Sequence, residues 1–164
     1  MNTYVLSVLV ENQPSVLTKI SGLFSRRGYN IYSLTVGPTE DPSLSRMTIV
    51  VIGDEYMLEQ INKQLNKLID VIKVVVLESD KSVYRELALI KVSASDAAAK
   101  SSINEAVNIF RCKIIDMDTK SMTIEVTGDQ NKVEAFINLV RPYGIKKIAR
   151  TGLTALERGT ACSK

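Results

Sequence analysis

The run from Leu6 to Ile49 changes its hydrophobic period twice, and this constrains the fold more than any other property of the chain. Tyr4, Leu6, Val8 and Val10 alternate with Val5, Ser7 and Leu9 over a stretch too short for a helix, which predicts a mostly buried strand. A polar turn, Glu11 to Ser15, follows at once. From Val16 the apolar positions Val16, Leu17, Ile20, Leu23 and Phe24 take helical spacing, with Lys19, Ser21, Arg26 and Arg27 on the other side, so one face of a helix packs on a sheet. Gly28 stands just past the last periodic residue and the arginine pair, where a left-handed cap and cations at the negative helix end are both favoured. The chain then returns as a strand, Ile31 to Val36.

The same logic continues to residue 77. Gly37 to Leu44 contains Pro38, Asp41 and Pro42, which is turn chemistry, and Arg46 to Ile52 resumes with Met47, Ile49 and Val51 on one face. Asp54 is placed to cap a helix whose apolar stripe is Leu58, Ile61, Leu65 and Leu68, and Val71 to Leu77 is a β-branched strand. The order β-α-β-β-α-β is the split βαβ arrangement of ferredoxin-like domains, with both helices on one face of an antiparallel sheet. Glu78 to Tyr84 is polar and reads as a linker, after which the order repeats. Leu87 to Val92 is a strand, Asp96 caps a helix with Ala99, Ile103, Ala106, Val107 and Phe110 inward, and Cys112 to Met117 is the next strand. A tight turn at Asp118 to Lys120 leads to Met122, Ile124 and Val126 on one strand face. A helix follows with Val133, Phe136, Ile137 and Val140 inward, ended by Pro142 and Gly144, and Ile145 to Ala149 is a last strand. The expected class is therefore α+β, two ferredoxin-like βαββαβ domains in tandem at 1–78 and 84–164, the second closing on a mobile tail from Thr151 to Lys164.

Composition excludes several functions. The chain has 164 residues, 45% hydrophobic and 24% charged, which is globular material. No apolar run approaches the roughly 18 residues of a membrane-spanning helix, and the start carries neither a basic leader nor a small-residue cleavage site. A soluble protein of a bacterial cytoplasm or an organelle stroma such as a plastid is expected, with no membrane partner. A net charge of +3 with scattered Lys and Arg predicts no nucleic-acid partner. Cys112 and Cys162 share no metal or redox spacing, as expected for two unpaired thiols in a reducing compartment. The chain has no histidine, so the side chain most used for proton transfer near neutral pH and for metal ligation is missing. Glu11, Asp41, Asp116 and Asp118 sit singly on turns and strand ends, and there is no GxGxxG, GxxxxGK[ST] or GxSxG. Neither catalytic residues nor a metal site is expected.

The chain resembles the small, regulatory subunits of acetolactate synthase, also called acetohydroxyacid synthase. NQPSVLTKISGLFSRRGYNIYSLTVGPTEDPSLSRMTI closely follows that family's first ACT domain, with GLFSRRGYNI and SLTVGPTEDPSLSRMTI its firmest signatures. Asn108-Ile109-Phe110-Arg111, Ile114-Ile115-Asp116 and Ala149-Arg150-Thr151-Gly152 extend the likeness, which covers Tyr4 to Gly159. The resemblance implies a homodimer formed through ACT domains, without an active site of its own. It implies a protein that stimulates a separate catalytic subunit and confers inhibition by valine or a related branched-chain amino acid. Thiamine diphosphate, magnesium and FAD would belong to that catalytic partner. In such domains the effector sits where the first turn of one chain meets the second strand of another. Carried over by position, this puts Asn12, Pro14, Ser15, Val16 and Leu17 on one wall and Asn30 and Ile31 on the other.

Elementary chemistry agrees with that placement. Backbone N–H groups near Ser15 to Leu17 and the helix dipole suit a carboxylate, the amide oxygens of Asn12 and Asn30 suit an ammonium, and Leu17 and Ile31 suit an aliphatic side chain. Structural roles compete for the same residues: a helix N-cap for Asn12, and a turn position tolerating φ > 0 for Asn30. One departure stands out, since the family usually has glycine where Ser15 stands, and glycine lets a backbone approach a ligand closely. Ser15 is expected to leave the pocket in place with altered affinity. An RNA-recognition module shares the scaffold but needs aromatic rings on its central strands, which are absent here. A stand-alone amino-acid sensor of the ACT type is the alternative that local chemistry supports equally well.

Overall fold

The alternation at the start of the chain becomes β1 (Asn2–Glu11), whose Leu6, Val8 and Val10 face inward and are almost inaccessible. The computed structural model describes residues 1–159 and divides into two units, Met1–Val83 together with Leu153 onward, and Tyr84–Gly152. In the first unit β1 is followed by α1 (Val16–Arg27), β2 (Ile31–Pro38), β3 (Leu44–Gly53), α2 (Glu55–Leu65) and β4 (Val71–Leu77). The sheet is antiparallel in the order β2-β3-β1-β4. Its register pairs Leu6 with Ile49 and Val8 with Met47, so the apolar faces of the two central strands coincide. Ile20, Leu23 and Phe24 of α1 and Ile61 and Leu65 of α2 close one core over that face. Full burial of such side chains contributes about 1.5–3 kcal/mol each.

Helix ends follow the expected chemistry. Gly28 caps α1 at φ 70°, its N–H reaching the Phe24 and Ser25 carbonyls. Asp54 caps α2 by accepting the Met57 N–H at 2.8 Å. Leu68, expected on the α2 stripe, lies beyond the helix but still packs on the core.

The second unit repeats the plan. Its elements are β5 (Ser82–Ser93), α3 (Ala97–Ile109), β6 (Lys113–Met117), β7 (Ser121–Gly128), α4 (Gln130–Val140), a 3-10 turn Arg141–Tyr143 and β8 (Ile145–Arg150). The order β6-β7-β5-β8 is the first sheet's order in the second half of the chain. Asp96 caps α3 through the Ala99 N–H at 2.7 Å. Ile90 and Ile124 pair in the core beneath Ile103, Val133 and Phe136. Phe110 meets Phe136 edge-to-face, with ring centroids 5.5 Å apart.

Two expectations are corrected. The segment read as a linker ends early: β5 begins at Ser82, which is buried, ahead of the residues that pair with β7 and β8, and β5 also pairs with a short later strand, β9 (Thr154–Glu157). Residues 84–164, expected as one domain, are shared between the two units. Within the stretch read as a mobile tail, Thr154–Glu157 forms β9, which pairs with β5, and residues 153–159 group with the first unit. The Leu153 N–H donates to Ser33 Oγ at 3.0 Å, and Thr35 Oγ1 donates to the Leu153 carbonyl. The Arg158 N–H reaches the Lys81 carbonyl at 2.8 Å. Leu153 and Ala155 are buried and cover part of the helix-free face of the first sheet, where Val5, Ser7, Thr48 and Val50 point. The end of that stretch, residues 160–164 with Cys162, lies outside the described residues. Among the described residues no helix is long and apolar enough to cross a membrane.

Candidate functional site

The first turn is held between two strands. The Glu11 N–H donates to the Asp70 carbonyl at 2.9 Å, ahead of β4, and the Asn12 N–H donates to the Ser43 carbonyl at 2.7 Å, ahead of β3. The Asn12 side chain does not cap α1. Its Nδ2 donates instead to the Pro42 carbonyl at 3.0 Å, leaving Oδ1 as the amide atom suited to accept from an ammonium. The loop that offers this carbonyl is folded on itself by Asp41, whose Oδ1 accepts both the Ser43 N–H at 2.9 Å and the Ser43 hydroxyl at 2.7 Å. These bonds, the hydroxyl's first, hold the Asp41 carboxyl below the usual carboxylate range.

The cap position of α1 falls to Ser15, at φ 73° and ψ −8°. This is the left-handed region, one that a residue with a Cβ enters at a cost and glycine enters freely. The Ser15 hydroxyl makes no capping bond and the first turn contains no acidic residue. The other three α-helices among the described residues are each capped by an aspartate: Asp54, Asp96 and Asp129 accept the Met57, Ala99 and Lys132 N–H groups. At α1 the Val16 N–H donates to the Gln13 carbonyl at 3.4 Å, which leaves the Leu17 and Thr18 N–H groups open at the positive end of the dipole. The nearest balanced charge is the pair of Lys19 Nζ and Asp70 Oδ2 at 2.6 Å.

The remaining candidates divide. Pro14 is exposed on the turn and Leu17 is 43% exposed on the outer side of α1, both open to a ligand. Val16 is buried at 3% in the core, so its side chain serves the helix-sheet contact and only its backbone faces the turn. Asn30 is exposed with ordinary negative φ, and Ile31 is half-buried against the core edge. These two are not beside the first turn. Ile31 pairs with Val51, and Val51 with Tyr4, whereas the first turn leaves β1 at Glu11. At about 3.3 Å per residue, that separates the two walls by about 23 Å within one chain.

Sequence reasoning missed the role of Asp41, Pro42 and Ser43 in holding Asn12. The signal was an aspartate two residues ahead of a serine in a proline turn, the pattern of a side chain that folds its own backbone. Among the described residues no group of three or more acidic, cysteine or histidine side chains is placed to hold a metal.

Comparison with known proteins gives consistent results over both units. Residues 6–73 match the AHAS small subunit-like ACT domain, and residues 85–159 match the small subunit of acetolactate synthase. The chain is 57% identical over 157 residues to the acetolactate synthase small subunit of Mycolicibacterium smegmatis, covering 96% of this chain and 92% of that one. It is 52% identical over 159 residues to the probable acetolactate synthase small subunit of Methanothermobacter thermautotrophicus, covering 97% and 95%. The crystal structure of the acetolactate synthase small subunit from Thermotoga maritima superposes with a TM-score of 0.90 at 46% identity, over 97% of this chain and 99% of that one.

Proposed function

The chain belongs to the family of acetolactate synthase small subunits, and from that premise we propose that it is the regulatory, non-catalytic part of the enzyme. It docks on a catalytic subunit, raises the rate at which that subunit converts pyruvate to acetolactate, and withdraws the stimulation when valine or a related branched-chain amino acid binds. Thiamine diphosphate, magnesium and FAD reside in the catalytic subunit.

The observation that carries the effector site is the uncapped, acid-free start of α1 beside Asn12, in a fold that caps its other α-helices with aspartate. An amino acid fits there with its carboxylate on the leading N–H groups of α1, its ammonium on Asn12 Oδ1 and its side chain against Leu17.

The second wall comes from another copy of the chain. Within one chain Asn30 and Ile31 are a sheet length away from Asn12. β2 is an edge strand, IYSLTVGP, that bears no charge and exposes Tyr32 and Val36. Edges of monomeric sheets are usually blunted by charge or irregularity, and this one is suited to pairing. Two-fold antiparallel pairing of β2 edges runs the start of one β2 toward the end of the other, bringing the partner's Asn30 and Ile31 toward Asn12 to Leu17. Valine bound across that seam favours one dimer arrangement, and the difference, typically about 1–3 kcal/mol, is passed to the catalytic subunit.

Calorimetric titration of valine into the full chain tests the shared site. Asn12→Ala and Ile31→Ala are each expected to lose valine binding. Their mixture, after exchange of chains, is expected to regain one intact site in every mixed dimer. A mixture that stays silent while both variants remain dimeric would overturn the two-chain site.

A further inference from the structure

The helix-free face of the first sheet contains a cavity lined by Thr35 to Glu40, Arg46, Thr48 and the C-terminal residues Thr154, Ala155 and Leu156. It lies on the opposite face of the sheet from α1, and two of its polar side chains, Arg46 and Thr48, have hydrogen-bonding capacity to spare toward it. Arg46 is half-buried and its Nη1 donates to Ser7 Oγ at 3.1 Å, but among the described residues it has no carboxylate partner. Thr48, at 3% exposure, lines the cavity, and its hydroxyl has no hydrogen-bond partner among the described residues. The Thr35 hydroxyl is engaged by the Leu153 carbonyl, so the open donors are those of Arg46 and Thr48. A half-buried guanidinium with several N–H groups to spare beside an unpaired hydroxyl is the arrangement that binds an oxyanion.

We infer that this cavity is a second ligand site, taking a small molecule through a carboxylate or phosphate group held by Arg46 and Thr48. Glu40, exposed at the rim, selects against polyanions and suits a singly charged or zwitterionic ligand. β9 supplies one wall, so the site exists only when the C-terminal strand is seated on the first unit.

The test is nuclear magnetic resonance of the full chain, titrated with sodium acetate, with sodium phosphate and with sodium chloride at matched ionic strength. Saturable shifts at the Arg46 Nε–H and the Thr35, Thr48 and Thr154 amides are expected with at least one of the two oxyanions and not with chloride. The Leu17 and Thr18 amides should stay in place, which keeps this site separate from the one at α1. Response to acetate alone identifies a carboxylate ligand, response to phosphate alone a phosphate ligand, and response to both their shared chemistry. Arg46→Gln should weaken binding by about tenfold or more, in line with loss of a charged hydrogen bond. Thr48→Val keeps the shape of a buried residue and should weaken binding about threefold or more, as expected for a neutral one. Shifts that do not saturate, that chloride reproduces, or that Thr48→Val leaves unchanged would overturn the inference.

Discussion

The side-chain amide of Asn12 is hydrogen-bonded to the carbonyl of Pro42, thirty residues on in the chain, so the first turn and the β2–β3 loop form one structure. Asp41 organises that loop and Asn12 is fastened to it. Asp41 therefore controls the orientation of the Asn12 side chain, the one proposed to meet the effector.

Asp41→Ala removes the acceptor for the Ser43 N–H and hydroxyl, frees the loop and lets the Asn12 amide turn. Valine affinity is expected to fall severalfold by calorimetry, with the fold intact by circular dichroism. Undiminished affinity would show that the loop does not support the site.

The same contact gives a pH dependence of defined sign. The Asp41 carboxyl titrates lower in the folded chain than in the unfolded one, chiefly through the Ser43 hydroxyl. Its contribution is complete above the unfolded value and is lost as pH falls through the folded value. The Ser43 amide and Asn12 Nδ2–H resonances should therefore move together on acidification, below the usual carboxylate range, and stay constant from there to neutral pH. Titration of the two at unrelated pH values would contradict the coupling.

Ser15→Gly should raise the melting temperature, since a serine Cβ in the left-handed region costs about 1–2 kcal/mol that glycine does not. Ser15→Ala should leave stability nearly unchanged, because the hydroxyl caps nothing, whereas removal of a working cap costs about 1 kcal/mol. Comparing valine affinities of the two variants separates the effect of bulk from that of the hydroxyl. An affinity equal to that of the parent chain in both would place position 15 away from the effector.

Val36→Lys puts a charge on the uncharged β2 edge, on a side chain 47% exposed in the single chain. It should convert dimer to monomer in sedimentation velocity and abolish valine binding in parallel. A dimer that persists would exclude β2 as the seam.

In the second unit, Arg150 grips Glu86 with two prongs, Nε to Oε1 at 2.6 Å and Nη2 to Oε2 at 2.9 Å, while Nη1 reaches Glu134 Oε1 at 2.5 Å. Glu86 is only 6% exposed, so Arg150→Ala leaves a buried carboxylate unpaired and should destabilise the chain by about 3 kcal/mol in urea titration. A change near zero would mean that water replaces the guanidinium.

Much of the fold was legible because its signals are local. The period changes at Glu11 and Val16, the caps at Gly28, Asp54 and Asp96 and the β-branched run Val71–Leu77 each specify their own geometry. β9 was not legible: Thr154–Glu157 is four residues in a polar stretch, too short for a period, and becomes a strand by pairing with β5, while Ser33 and Thr35 hold the adjacent Leu153. The opening of β5 was hidden for the same reason, since Ser82 is strand by pairing and not by composition. At the site the family motif supplied Asn12 and Ser15, but neither the Asn12 bond to Pro42 nor the left-handed φ of Ser15 is written in a spacing. Val16 shows the converse, a motif residue whose side chain belongs to the core.

The central claim is tested most directly by measuring acetolactate formation from pyruvate by the cognate catalytic subunit, with and without this chain, across a valine titration. The account predicts that the chain raises the rate and that valine reverses the increase, with Asn12→Ala still stimulating but no longer responding to valine. A catalytic rate unaffected by the chain at any ratio would contradict the account and favour a stand-alone amino-acid sensor.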